Sequence, residues 1–165
     1  GGIQCPISEA ALQALRDMKR GAYNYLQFNI DLEKEEIHIS KADNIEVAQL
    51  SKQVPNDHAR FHIYLFKHSY ESDFLESFVF IYSMPGYACS VKERMMYSSC
   101  KAPFLDTITS GTMGIDIAKK LEIDDASEVS EENLLEELHP KKMLHKTQFA
   151  KPAPPSKRGP RRLIK

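Results

Sequence analysis

Glycine-rich loops, long apolar runs and metal-spaced cysteines are all missing from this chain. No apolar stretch approaches the roughly 18 residues that a membrane-crossing helix needs, so a membrane protein is not expected. No charged-then-apolar leader opens the sequence, and secretion is not expected either. Only seven glycines occur in 165 residues, and they are scattered. Gly111-Thr112-Met113-Gly114 lacks the lysine of a phosphate-cradling loop. The three cysteines, Cys5, Cys89 and Cys100, are odd in number and fit no metal spacing. They are expected to be free thiols in a reducing cytosol. Cys89 and Cys100 have no identifiable base, which argues against a thiol nucleophile. His58, His62 and His68 lie close in sequence, and His62 and His68 share a strand face. Without a cysteine or carboxylate at ligand spacing, packed or surface strand histidines are the preferred reading over a metal site. Asp124–Asp125 and Glu131–Glu132 read as solvated helix ends rather than paired catalytic acids. No enzyme, metal or cofactor is expected.

Acidic residues are absent from one region only. Residues 140–165 carry nine basic side chains and no acidic one, whereas residues 1–139 carry 13 basic and 23 acidic ones. The net charge of -1 therefore hides a folded acidic body and a basic arm. The arm holds Pro140, Pro152, Pro154, Pro155 and Pro160, and its few apolar residues show no period. It cannot bury enough surface to offset its ordering entropy, so disorder in isolation is expected. Residues 1–139 are expected to form one domain, acting as a monomer by itself, with a boundary near Leu138–Pro140.

Within the body, Ser8 suits the N-cap of a helix reaching about Arg20, with Ala11, Leu15 and Met18 at helical spacing. Leu26, Phe28, Ile30 and Leu32 then alternate with Tyr25, Gln27, Asn29 and Asp31. That pattern predicts a half-buried strand, followed through Glu33–Glu36 by a second strand at Ile37 and Ile39. Ile45–Lys52 reads as a short helix. Phe61–Phe66 and Phe78–Tyr82 are apolar throughout and read as central strands covered on both faces. Ser90–Lys101 reads as a helix with Arg94, Met95, Ser98 and Lys101 on one face and Met96 and Cys100 on the other. Pro103 is expected to break it. Ile115–Leu121 fits either a strand or a short helix, and Ser130 caps a last helix, Glu131–His139. The expected fold class is α/β, a mixed central sheet sandwiched between helices.

The segment Phe78–Gly86 followed by Val91-Lys92-Glu93-Arg94-Met95-Met96-Tyr97-Ser98-Ser99 resembles the strand, loop and main actin-binding helix of the actin-depolymerising-factor homology (cofilin-like) family. Gly2–Ser8 resembles that family's N-terminal arm, and the element order agrees along residues 1–139. The resemblance implies a gelsolin-like fold, binding to monomeric actin with preference for the ADP form, barbed-end binding, and slowed assembly and nucleotide exchange. It assigns actin contact to Lys92, Arg94 and Met95, then Ser98 and Lys101 on the same face, with Ile3 and Gln4 from the arm. Arg60 and Lys67 are the basic residues available for a second, filament-side surface. The acidic last helix weakens that second use.

The tail resembles that of the twinfilin family, which carries two such domains and a basic tail that binds heterodimeric capping protein. Met143 stands where a leucine of the capping-protein-interaction motif would be, with His145 and Thr147 in place and Lys151–Pro152 one residue late. His145, Thr147, Lys151, Pro152, Arg158, Arg161 and Arg162 are the residues the resemblance assigns to capping protein. Two other uses of the tail follow from its chemistry. Pro152-Ala153-Pro154-Pro155-Ser156-Lys157 fits a proline-rich SH3 ligand of a signalling adaptor. Its clustered cations fit a phosphoinositide surface. Specific nucleic-acid binding is not expected, because the acidic body would repel phosphates. The expected location is cytoplasmic, at the cytoskeleton.

Overall fold

The computed structural model of the protein describes residues 5–141. The chain separates into two units, residues 1–134 and residues 135–165. In the first unit α1 (Glu9–Lys19) precedes the strands β1 (Tyr25–Asp31), β2 (Glu36–Asp43), β3 (Arg60–Tyr70) and β4 (Asp73–Ser83). Helix α2 (Val91–Thr109) and strand β5 (Ile117–Ile123) follow, and α3 (Glu131–Leu138) begins there. The strands lie in the order β2-β1-β3-β4-β5. All neighbours are antiparallel except β4 and β5, which run parallel. The mixed sheet with helices is the class expected from the sequence. In the second unit the His139 amide donates to the Leu135 carbonyl at 2.8 Å, closing the last turn of α3.

Local chemistry explains the first elements. The Ser8 hydroxyl accepts from the Ala11 amide at 3.2 Å, satisfying one orphan donor of α1. The helix stops at Gly21, whose φ of +95° few other residues would tolerate. Alternation along the strands then divides the side chains. Leu26, Phe28, Ile30, Phe61, Ile63, Phe80 and Tyr82 join Leu15 and Met18 of α1 and Tyr97, Phe104 and Ile108 of α2 in one core. Phe61 is its centre, in ring contact with Phe80, Tyr82, Tyr97 and Phe104.

The opposite face buries Tyr25, Gln27, His62, Tyr64, Phe66, Val79 and Ile81. Tyr25 and Gln27, expected on the wet side of a half-buried strand, are thus buried as well. They form a polar network. Gln27 Nε2 donates to the Tyr25 hydroxyl at 2.8 Å and to the Gln53 carbonyl at 3.0 Å. Tyr25 and His62 Nδ1 are 2.7 Å apart, and His62 Nε2 lies 2.8 Å from Ser83 Oγ. Both ring nitrogens of His62 are therefore occupied. Among the described residues, no group of three or more His, Cys, Asp or Glu is arranged to hold a metal ion.

Three expectations are corrected. Pro103 does not end the helix; α2 runs through it to Thr109. A proline there removes one backbone bond, but Cys100, Phe104, Leu105 and Ile108 are buried on both sides of it, and that packing carries the helix across. The short helix expected over Ile45–Lys52 is present as a 3₁₀ helix, Val47–Gln53. Strands β3 and β4 extend well past Phe66 and Phe78, pairing from Arg60–Ser83 out to Tyr70–Asp73. Backbone hydrogen bonding sustains the strands there after the apolar run has ended. Finally, Cys5 and Cys100 are not free thiols. They form a disulfide across 95 residues of sequence, with Cα atoms 5.7 Å apart. The cause is topological. The Ile37 amide donates to the Pro6 carbonyl and the Ser8 amide to the Ile37 carbonyl, both at 2.8 Å. These bonds lay the N-terminal segment beside β2, and Cys5 then meets the inner face of α2. Cys89 alone is free and buried.

Candidate functional site

Three of the four exposed large apolar side chains among the described residues, Tyr87, Val91 and Met95, fall in the strand–loop–helix from Ser83 to Lys101. Beyond β4, Met84, Pro85 and Gly86 turn the chain, with Gly86 at a φ of +64°. A short 3₁₀ turn, Gly86–Ala88, follows. Ser90 caps α2 by accepting from the Glu93 amide at 3.1 Å. Helical periodicity then separates two adjacent methionines, as the sequence predicts. Met96 is buried with Tyr97 and Cys100, whereas Met95 is 64% exposed. Val91, one turn earlier, is 59% exposed, and Tyr87 in the preceding turn is 98% exposed.

The polar residues on this face differ in freedom. Lys92 is exposed and carries its charge into solvent. Arg94 is half-buried. Its Nη1 donates to the Gly86 and Cys89 carbonyls, each at 2.9 Å, and its guanidinium carbon lies 5.5 Å from the centre of the Tyr87 ring. Ser98 is exposed, and its Oγ shares a 3.2 Å hydrogen bond with the Tyr82 hydroxyl. Lys101 is ion-paired with Glu122 of β5. Lys92, Arg94, Met95, Ser98 and Lys101 thus occupy one helix, with three of them, Arg94, Ser98 and Lys101, tied to neighbouring segments. Ile3 and Gln4 lie outside the described residues, as do His145, Thr147, Lys151, Pro152, Arg158, Arg161 and Arg162.

Of the second basic pair, Lys67 is exposed and stands opposite Glu76 in the β3–β4 register. Arg60 turns inward. Its Nε donates to Gln27 Oε1 at 3.2 Å and its Nη1 to the Ala59 carbonyl at 2.8 Å. Arg60 is half-buried and lies seven residues from Lys67 along β3.

Two residues at the site escaped sequence reasoning. Glu93 is 7% exposed. Its carboxylate accepts from the Ala59 amide at 2.7 Å and faces His58 Nδ1 at 3.2 Å, fastening the first turn of α2 to the start of β3. An acidic residue in a first turn looks like ordinary dipole pairing, so nothing in the sequence signalled this anchor. Tyr87 falls in a loop where no periodicity assigns a face; the only hint was a large aromatic next to Pro85–Gly86. The Cys89 thiol is pushed up from its ordinary range chiefly by burial, with the Glu93 carboxylate adding to the effect. That suppresses the thiolate a nucleophile would require. A separate groove between α1 and the end of α2, lined by Leu12, Arg16, Asp106, Thr107 and Met113 among others, contains none of the predicted site residues. Among the described residues, no helix is long and apolar enough to cross a membrane.

Comparison with known proteins adds independent observations. The sequence pattern of the family described as "Cofilin/tropomyosin-type actin-binding protein" matches residues 4–139. The chain is 61% identical to a twinfilin of Anopheles gambiae and 59% identical to a twinfilin of Drosophila melanogaster, over all 165 of its residues in each case. It spans 48% of the length of each. Among solved structures, the cofilin of Streptomyces griseoflavus superposes with a TM-score of 0.69 at 24% identity, covering 82% of this chain and 97% of that one. At that identity the likeness supports the fold alone.

Proposed function

The chain belongs to the cofilin/tropomyosin-type actin-binding protein family, and from that premise we propose that it binds monomeric actin and filament barbed ends through the exposed face of α2. The observation that carries the reading is the outward placement of Val91 and Met95 beside the free charge of Lys92. A methionine adapts its shape to an apolar cleft. A neighbouring cation steers and orients an acidic partner more than it adds affinity. Arg94, Ser98 and Lys101 lie on the same face, and Ile3 and Gln4 are further actin contacts in this reading. Occupying actin's cleft blocks a surface needed for polymer contacts, so bound monomer is withheld from assembly. The ADP form is favoured and nucleotide exchange is slowed. Filament-side binding is the weaker mode, since Arg60 is engaged inside the domain and Lys67 is left as its basic contact.

The basic segment 140–165 binds heterodimeric capping protein, with His145, Thr147, Lys151, Pro152, Arg158, Arg161 and Arg162 as its contacts. An extended cationic chain can wrap an acidic surface, and its prolines reduce the entropy lost on binding. Phosphoinositides compete for the same charges. The protein acts in the cytoplasm, at the cytoskeleton.

Lys92→Glu separates the two activities, and it leaves the bonds of Arg94 in place. Equilibrium titrations with monomeric actin and with capping protein are expected to show actin binding weakened at least tenfold and capping-protein binding unchanged. Deletion of residues 140–165 is expected to do the opposite. Normal actin binding by Lys92→Glu, or retained capping-protein binding by the truncated chain, would overturn the corresponding half of the proposal.

A further inference from the structure

We propose that Tyr87 is an aromatic anchor for actin and that Arg94 is the residue that positions it. The inference rests on the actin-binding reading of α2 and deepens it: the contact surface extends to the turn before the helix, and Arg94 acts through that turn.

Four large apolar side chains are notably exposed among the described residues, and three of them, Tyr87, Val91 and Met95, fall within nine positions of sequence. Val91 and Met95 are one helical turn apart, on the same side of α2. Tyr87 is the most exposed of the group at 98%. An exposed aromatic in a free loop would lose much conformational entropy on binding, which reduces its usefulness as a contact. This loop is not free. Gly86 adopts a φ of +64° that favours glycine. Its amide lies 3.1 Å from Met84 Sδ, and its carbonyl receives the Cys89 amide at 3.3 Å. Arg94 Nη1 then bridges the Gly86 and Cys89 carbonyls, the two ends of the turn that carries Tyr87. The same guanidinium lies 5.5 Å from the Tyr87 ring centre, within the range of cation–π attraction. One side chain therefore fastens both ends of the turn and attracts the ring it carries.

Tyrosine is enriched among residues that dominate binding energy, because it offers a large rigid face and a polar tip. A ring carried on a fastened turn and exposed to solvent, next to an apolar strip and the charge of Lys92, fits a protein partner with an apolar cleft and an acidic rim. On the reading above that partner is actin. A directly contacting Arg94 would instead present its guanidinium to the partner, but here half-burial and two carbonyl bonds turn it toward its own loop.

A double-mutant cycle with monomeric actin distinguishes positioning from direct contact. Tyr87→Ala is expected to weaken binding about thirtyfold, and Arg94→Ala about tenfold. The double variant should be no weaker than Tyr87→Ala alone, because Arg94 has nothing left to position. Tyr87→Phe should stay close to wild type. Tyr87 is almost wholly exposed, so its replacement leaves the core intact, and an unchanged melting temperature checks this. Wild-type binding by Tyr87→Ala would overturn the anchor. Effects that multiply to about three-hundredfold in the double variant would overturn the positioning role. Absence of saturable binding by the unmutated chain would instead bring down the underlying actin-binding reading, and the proposal with it.

Discussion

Reduction of the Cys5–Cys100 bond is expected to lower the stability of the folded protein by about 2–5 kcal/mol. The bond joins positions 95 residues apart, and the chain-entropy relation for a loop of that length gives about 4–5 kcal/mol. The link constrains the unfolded chain, while in the folded protein it spans two elements already adjacent. Urea unfolding with and without a phosphine reductant reads the effect as a lower midpoint. The slope should rise on reduction, because an uncrosslinked unfolded chain exposes more surface. A Cys5→Ala/Cys100→Ala double variant should be indifferent to the reductant. Equal midpoints for oxidised and reduced protein would contradict the pairing as a stabilising feature. The consequence reaches the candidate site as well, since Cys100 lies on α2 and Cys5 directly follows Ile3 and Gln4.

The second large effect concerns acid. The hydroxyl of Tyr25 accepts from Gln27 Nε2, so its own proton points to His62 Nδ1. Burial pushes the Tyr25 hydroxyl well above its ordinary range and keeps that proton in place. His62 must then carry its hydrogen on Nε2 and donate to Ser83 Oγ. A second ring proton would oppose the Tyr25 hydrogen, and it would form in a fully buried site. His62 is accordingly pushed down to about 3, first by burial and then by the charges of Arg60 and Lys41. In the unfolded chain the same imidazole takes its proton near 6.5. Below that pH the unfolded state binds more protons, so stability falls as pH falls, by about 1.4 kcal/mol per pH unit, until the folded ring titrates. Between pH 7 and 5 the loss from this residue is about 2 kcal/mol. His62→Gln is expected to flatten the stability profile over that interval. A variant whose profile runs parallel to that of the wild type would show that His62 is not the cause.

Much of the candidate site was legible because a helix surface obeys one period. The 3.6-residue repeat was enough to send Met95 outward and Met96 inward. Alternation similarly identified Phe28 as core, and unbroken apolar runs did the same for Phe61 and Phe80. Periodicity fails where tertiary contacts decide. Cys5 and Cys100 meet only after β2 has captured the N-terminal segment. Residues 117–123 become a strand because β4 offers them an edge, while their own pattern is half exposed and compatible with two states. Arg60 looks like a surface cation on a strand until Gln27 and Ala59 supply acceptors inside. Glu93 and Tyr87 illustrate the same limit at the site itself. One is a charged residue buried by a backbone amide from a distant strand, and the other a loop aromatic fixed by an arginine seven residues later.

Titration of the chain against fluorescently labelled monomeric actin, in ADP and ATP states, tests the account most directly. Saturable binding, tighter to the ADP form and weakened at least tenfold by Met95→Glu, is the predicted result. No saturable binding to either form, or unchanged binding by Met95→Glu, would contradict it.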